Sequence, residues 1–146
     1  MSEEIFDLDR AERLLPTLER MLRAAVDEKQ RLTQHGRTQA RMIERISMLG
    51  GSRIDPDQFA EASKAKEASG ARLRELVEEI ESLGCVVKDL DMGLIDFPAR
   101  TGDQEFYLCW KLGEARIRFW HSMDEGFAGR KPLDETMIRQ MPDSKQ

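Results

Sequence analysis

Apolar positions along this chain follow two periods, and the change from one to the other falls near Gly84. Before it they recur at helical steps: Leu18, Leu22, Ala25 and Leu32, then Ile43 and Ile46. Lys29, Gly36 and Gln39 occupy the seam between them, so the stripe reads as strong at both ends and weak in its middle. Phe59, Ala62, Leu73, Leu76, Ile80 and Leu83 repeat the step, with Lys66 and Ser69 midway. Run antiparallel, the two stripes match strong end to strong end, and Gly36, Ala62 and Ser69 are small enough for close approach at the centre. The pattern predicts a long helical hairpin. Its first helix, from Pro16 to about Leu49, would extend about 50 Å at about 1.5 Å per residue. Only a partner packed along it makes such a helix stable in water.

The punctuation fits. Asp7 or Asp9 caps a short first helix, and Glu12 favours its positive end. Pro16 lacks an N–H, so either it kinks one helix or a short helix ends near Leu14; the favoured reading has Pro16 open a new helix. Gly50-Gly51 supplies a left-handed cap, Ser52 to Ile54 a turn, and Asp55-Pro56 the cap and first residue of the returning helix, which Gly84 closes.

After Gly84 the period becomes two. A β-prone run to Phe97 is broken at Asp91-Met92-Gly93, a turn or a bulge. Two further runs flank Gly113-Glu114, which suits a type II′ hairpin. That turn pairs Trp110 with Ile117, Leu108 with Phe119 and Phe106 with His121. One face is then apolar (Phe106, Leu108, Trp110, Leu112, Ala115, Ile117, Phe119). The other is mixed (Tyr107, Cys109, Lys111, Arg116, Arg118, Trp120). Across a loop from Ala99 to Gln104, Phe97 faces Phe106, Ile95 faces Leu108, and Gly93 leaves room for the Trp110 indole. Asp96 falls on the mixed face near Tyr107. The expectation is an α+β fold in one domain, 1–146: a short N-terminal helix and a long antiparallel helical hairpin (about 7–83), a three-stranded antiparallel β-meander (about 85–122) packed at the hairpin base, and an irregular segment (123–146). In that last segment Phe127 anchors, ETMIRQM makes a helical turn or two, and the tail DSKQ is loose.

Composition narrows the class. At 146 residues, 40% hydrophobic and 35% charged, the chain suits one soluble, helix-rich domain. A net charge of −5 disfavours a whole-surface affinity for polyanions. Cys85 and Cys109 match no paired metal spacing and read as reduced thiols in a cytoplasm, Cys109 packed within the sheet. The acidic N-terminus lacks the order of a secretory signal, and no apolar run approaches the roughly 20 residues that cross a bilayer.

The residues with chemistry are concentrated between Gly93 and Arg130. Asp96, Trp110, Glu114, His121 and Arg130 are the candidates for a ligand site where sheet meets hairpin. His121 with Asp124 and an upstream aspartate would make a metal set, but no HExxH or paired-cysteine spacing supports it. The simpler reading is a strand-end histidine tying down the next loop. Neither metal nor cofactor is expected. Cys109, mid-strand beside Arg118, reads as packing rather than as a nucleophile. GFAGR resembles an anion nest without a P-loop around it, so Arg130 is expected to fork onto Asp96 or Glu114. On the long helix, Arg37, Arg41 and Arg45 align at four-residue steps. Pairing with Glu61 and Glu67 is the simplest use of that stripe, and it lacks the interleaved aromatics of a nucleic-acid surface.

GLIDFPA, LCWKLGE, and FWH followed by GFAGRKP resemble the bacterial domain-of-unknown-function family numbered 2203, and FDLDRAERLLP is similar to that family's usual opening, F-T-x-E-E-A-x-x-L-L-P. Asp7 stands where that opening has threonine; both residue types cap helices. The resemblance spans nearly the whole chain and implies a bacterial origin and a helical-plus-β fold, not a mechanism. The functional expectation is a non-catalytic interaction module, associating with itself or another protein and with no membrane partner. The alternatives are a small-ligand or metal-binding protein, an enzyme included, and nucleic-acid binding through Arg37, Arg41 and Arg45.

Overall fold

The computed structural model describes residues 5–48 and 55–141. The anticipated Gly50-Gly51 cap, the Ser52-to-Ile54 turn and the DSKQ tail lie outside the described residues. Helix α1 (Leu8–Arg13) is capped by Asp7, whose Oδ1 accepts the Arg10 N–H at 2.7 Å. Helix α2 (Leu15–Met48) starts after a break at Leu14, so Pro16 lies in the first turn of a new helix, where its missing N–H costs nothing. Helix α3 (Pro56–Glu81) opens with Pro56 behind the Asp55 cap. Gln39 Nε2 donates to Ser63 Oγ at 2.6 Å, and Leu32 lies beside Gly70. Partner numbers that rise on one helix as they fall on the other make the pair antiparallel.

The hairpin is not strong at both ends. The buried side chains of α2 are Leu15, Leu18, Leu22, Ala25 and Glu28, and those of α3 are Ser69, Leu76 and Ile80. At the expected far strong end, Ile43 is 54% and Met48 79% exposed. Two helices share one narrow contact stripe, and among the described residues no third layer beyond the sheet covers those flanking it.

The sheet has five antiparallel strands in sequence order, not three: β1 (Val86–Asp89), β2 (Leu94–Thr101), β3 (Gln104–Lys111), β4 (Phe119–Ser122) and β5 (Lys131–Pro132). The break at Asp91 to Gly93 is a turn between β1 and β2, with a register shift between Val87 and Asp89. β5 forms because the chain folds back after β4 through a 3-10 turn at Phe127–Gly129. Helix α4 (Glu135–Gln140) then carries Met141 into the core.

The two expected registers fail differently. Between β2 and β3 a tight Gly102-Asp103 turn replaces the longer loop, so Ile95 faces Trp110, Asp96 faces Cys109, Phe97 faces Leu108 and Ala99 faces Phe106. That shift is two residues and leaves every side chain on its expected face. Gly93 makes room for Leu112 rather than for Trp110: its φ is +68°, and a Cβ there would stand 2.8 Å from Leu112 Cβ. Between β3 and β4 the shift is one residue. Trp120 faces Leu108, His121 faces Tyr107, and Phe119 rather than Arg118 faces Cys109. Residues 112–118 form a long loop instead of a II′ turn, and all of β4 is turned over.

Ile95, Phe97 and Ala99 of β2 join Phe106, Leu108 and Trp110 of β3 in one core with Leu18, Leu22, Leu76 and Ile80. Each large apolar side chain fully buried there contributes roughly 1.5–3 kcal/mol. Phe6 meets Phe97 edge-on at 5.3 Å, and its N–H donates to the Pro98 carbonyl at 2.7 Å, covering the side of β2 that short β1 leaves free.

Candidate functional site

Alternation along the strands sends Asp96, Tyr107, Cys109, Phe119 and His121 to the sheet face turned away from the helices. Asp96, Cys109 and His121, from β2, β3 and β4, are each about 1% exposed. An Asp96 oxygen, the Cys109 sulfur and a His121 ring nitrogen all lie within 4.8 Å of one another. His121 Nδ1 stands 2.9 Å from the Ser122 carbonyl. A carbonyl only accepts, so in the neutral ring Nδ1 carries the proton and Nε2 presents its lone pair. Nε2 lies 3.0 Å from Asp96 Oδ2, yet Nε2 and both Asp96 oxygens have no hydrogen-bond partner. They are close without the alignment a hydrogen bond requires.

Burial pushes the Cys109 thiol up to about 11, the negative charge of Asp96 adds to this, and the Arg130 guanidinium opposes it. Cys85 is pushed to about 12, again mainly by burial. Both are free and buried. Burial favours the protonated thiol, a weaker nucleophile and ligand than the thiolate.

Beside this centre, Arg130 forks onto Glu114, Nη2 to Oε1 at 2.6 Å and Nη1 to Oε2 at 3.1 Å, and donates to the Cys109 carbonyl at 3.2 Å. Its guanidinium also lies over the rings of Phe119 (4.3 Å) and Phe127 (4.9 Å); Phe127, the expected anchor, is only partly buried, and it is Leu133, Met137 and Met141 of the return segment that reach the core. Burial alone would raise the Glu114 carboxyl, but the hydrogen bonds from Arg130 and the Lys111 N–H outweigh it and hold it below its ordinary value.

The five candidate residues therefore fall into two linked pairs and an outlier. Asp96 meets His121, and Glu114 meets Arg130, with Cys109 between the pairs. Trp110 belongs to the opposite face and reaches the group only through Nε1–H donated to the Glu114 carbonyl at 2.8 Å. Where sheet meets hairpin there is an open depression of about 360 Å³, lined by Glu12, Pro16, Glu19, Trp110, Glu114 and Arg116 among others. Asp124 bonds Ser122 Oγ at 2.9 Å, and it is not among the residues gathered around His121. Sequence reasoning missed Cys109 as a member of the cluster, because the one-residue error in β4 put His121 on the wrong face.

On the long helices, Arg37, Arg41 and Arg45 are exposed and form no ion pair among the described residues. The anticipated bridges to Glu61 and Glu67 are not made. Lys29 instead pairs with Asp91 at 2.7 Å, and Arg31 with the buried Glu28 at 2.6 Å. No helix among the described residues is long and apolar enough to cross a membrane.

A family model described as Uncharacterized conserved protein (DUF2203) matches residues 4–133, and the chain belongs to that family. No curated protein and no solved structure matches it.

Proposed function

We propose that this family member is a non-catalytic, self-associating module of the cytoplasm, in which the β head fixes the base of a helical arm and two arms pack together. One observation carries the reading: among the described residues, α2 beyond Glu28 and α3 before Ser69 contain no buried side chain. A two-helix pair that long buries too little apolar surface to hold itself straight in water. A second copy supplies the absent layer. Ile43 and Met48 are exposed there, and Phe59 is half-covered. The exposed arginines at 37, 41 and 45 have no ion-pair partner among the described residues, while Asp57, Glu61 and Glu67 of distal α3 are exposed as well. Basic α2 of one arm against acidic α3 of another satisfies both, and the arrangement is reciprocal as a two-fold pair requires. Cys85 and Cys109, buried and free, suit a reducing compartment.

Light scattering across micromolar to millimolar chain tests this. The expected result is a dimer that Ile43→Glu converts to monomer without loss of helix signal; a strict monomer throughout ends the proposal.

The same exposed arginines favour a second reading, nucleic-acid binding along α2. It requires salt-sensitive binding to DNA or RNA that Arg37→Glu, Arg41→Glu and Arg45→Glu together remove. No binding at low salt excludes it.

A further inference from the structure

We propose that Asp96, Cys109 and His121 form a site for one divalent transition-metal ion of the zinc class, with a carboxylate oxygen, Sγ and Nε2 supplying three of its four ligands.

Four features of the β head, independent of the arm, lead to this. Three adjacent strands deliver the three classes of zinc ligand to one sheet face, Asp96 opposite Cys109 and His121 two residues along, each side chain about 1% exposed. Nε2 and both Asp96 oxygens are buried without hydrogen-bond partners, in a sheet whose other buried side-chain polar atoms, apart from Arg130 Nε, are satisfied. Buried polar atoms without hydrogen bonds are rare in protein interiors, and here three lie together, Nε2 only 3.0 Å from Asp96 Oδ2. The histidine is tied as a ligand would be: Nδ1 meets the Ser122 carbonyl, which leaves Nε2 free to bind, 3.0 Å from Asp96 Oδ2. The charges also balance. A carboxylate and a thiolate neutralise a dication, and the nearby Arg130 is already neutralised by Glu114.

Ligand atoms on a tetrahedral zinc stand about 3.3–3.7 Å apart, given bonds of about 2.0–2.3 Å. The present spread, within 4.8 Å, closes to that with small side-chain rotations. On binding, the Cys109 S–H proton leaves to solvent and the freed sulfur electron pair forms the metal bond. Affinity therefore falls as pH is lowered. The fourth ligand is a water or another atom from outside the chain that enters the buried cluster with the ion.

The experiment is Co(II) titration of the full chain, stripped of metal and held reduced. The expected result is one ion per chain, with a thiolate-to-cobalt charge-transfer band and the strong visible bands of a tetrahedral ion. Cys109→Ser abolishes the charge-transfer band, Cys85→Ser keeps it, and zinc displaces the cobalt. Lack of the band in the wild-type chain, or its persistence in Cys109→Ser, overturns the proposal. Should Cys109→Ser not fold, X-ray absorption of the zinc-loaded wild-type chain decides: one sulfur in the first shell supports the site, and a shell of nitrogen and oxygen alone refutes it. None of these readouts depends on whether the arms associate.

Discussion

The carboxylate of Glu12 accepts the backbone N–H of Ile117 at 3.1 Å, across more than one hundred residues of chain. The same Oε2 receives Arg116 Nε at 3.3 Å. This contact helps hold residues 112–118 out as a loop, and the loop sets the register of β4. Hydrogen bonds to charged groups contribute about 1.5–3 kcal/mol, so Glu12→Ala should destabilise by roughly that much. Arg116→Ala, fully at the surface, should change little. Urea denaturation of both variants tests the ordering, and an Arg116→Ala loss equal to that of Glu12→Ala would count against it.

Trp110 is 1% exposed and its indole N–H is used, so Trp110→Ala should cost roughly 3–5 kcal/mol. Arg118, exposed and without an ion pair among the described residues, should tolerate alanine within about 0.5 kcal/mol. Comparable losses from the two substitutions would mean that the core face is misassigned.

Gly93 and Gly102 both have positive φ, +68° and +59°, but only Gly93 also lies against a neighbour, Leu112. Alanine at either position meets the left-handed strain of roughly 1–2 kcal/mol, and at Gly93 it adds overpacking of roughly 1–3 kcal/mol. Thermal melts should therefore rank Gly93→Ala well below Gly102→Ala. Equal melting points would show that Leu112 yields freely.

Glu125 accepts from Lys131 Nζ (2.7 Å), Ser122 Oγ (2.6 Å) and the Ser122 N–H (3.2 Å), and these bonds, that from Lys131 foremost, lower its carboxyl from 4.5 to about 2. A depressed carboxyl stabilises the fold above its unfolded value, and that contribution is lost as pH falls through the folded one. The stability difference between the wild-type chain and Glu125→Gln should thus shrink from pH about 4.5 down to about 2. A difference that stays constant over that window contradicts the assigned bonds.

Local chemistry was legible before the structure. Asp7 and Asp55 cap, Pro16 and Pro56 open helices, and alternation in β2 and β3 assigns their faces, because each signal is written within a few residues. Alternation has a period of two, so it cannot see a two-residue slip, and the β2–β3 faces survived one. It cannot resist a one-residue slip either. Gly113-Glu114 looked like a tight turn, but Glu114 is occupied by Arg130 and the Lys111 N–H, and the loop is held by Glu12 from the far end of the chain. No pattern within 112–118 carries that information, and the Asp96–Cys109–His121 cluster was hidden with it. The far end of the arm misled for a different reason: Ile43 and Ile46 keep the helical step whether their partner is this chain or another copy.

Amide hydrogen exchange along α2, measured at low and high protein concentration, tests the arm directly. If two copies pack through their arms, protection over residues 29–48 rises with concentration, while the Leu15–Ala25 segment, buried within the chain itself, stays equally protected throughout. Protection over 29–48 that does not change with concentration would contradict self-association through the arm.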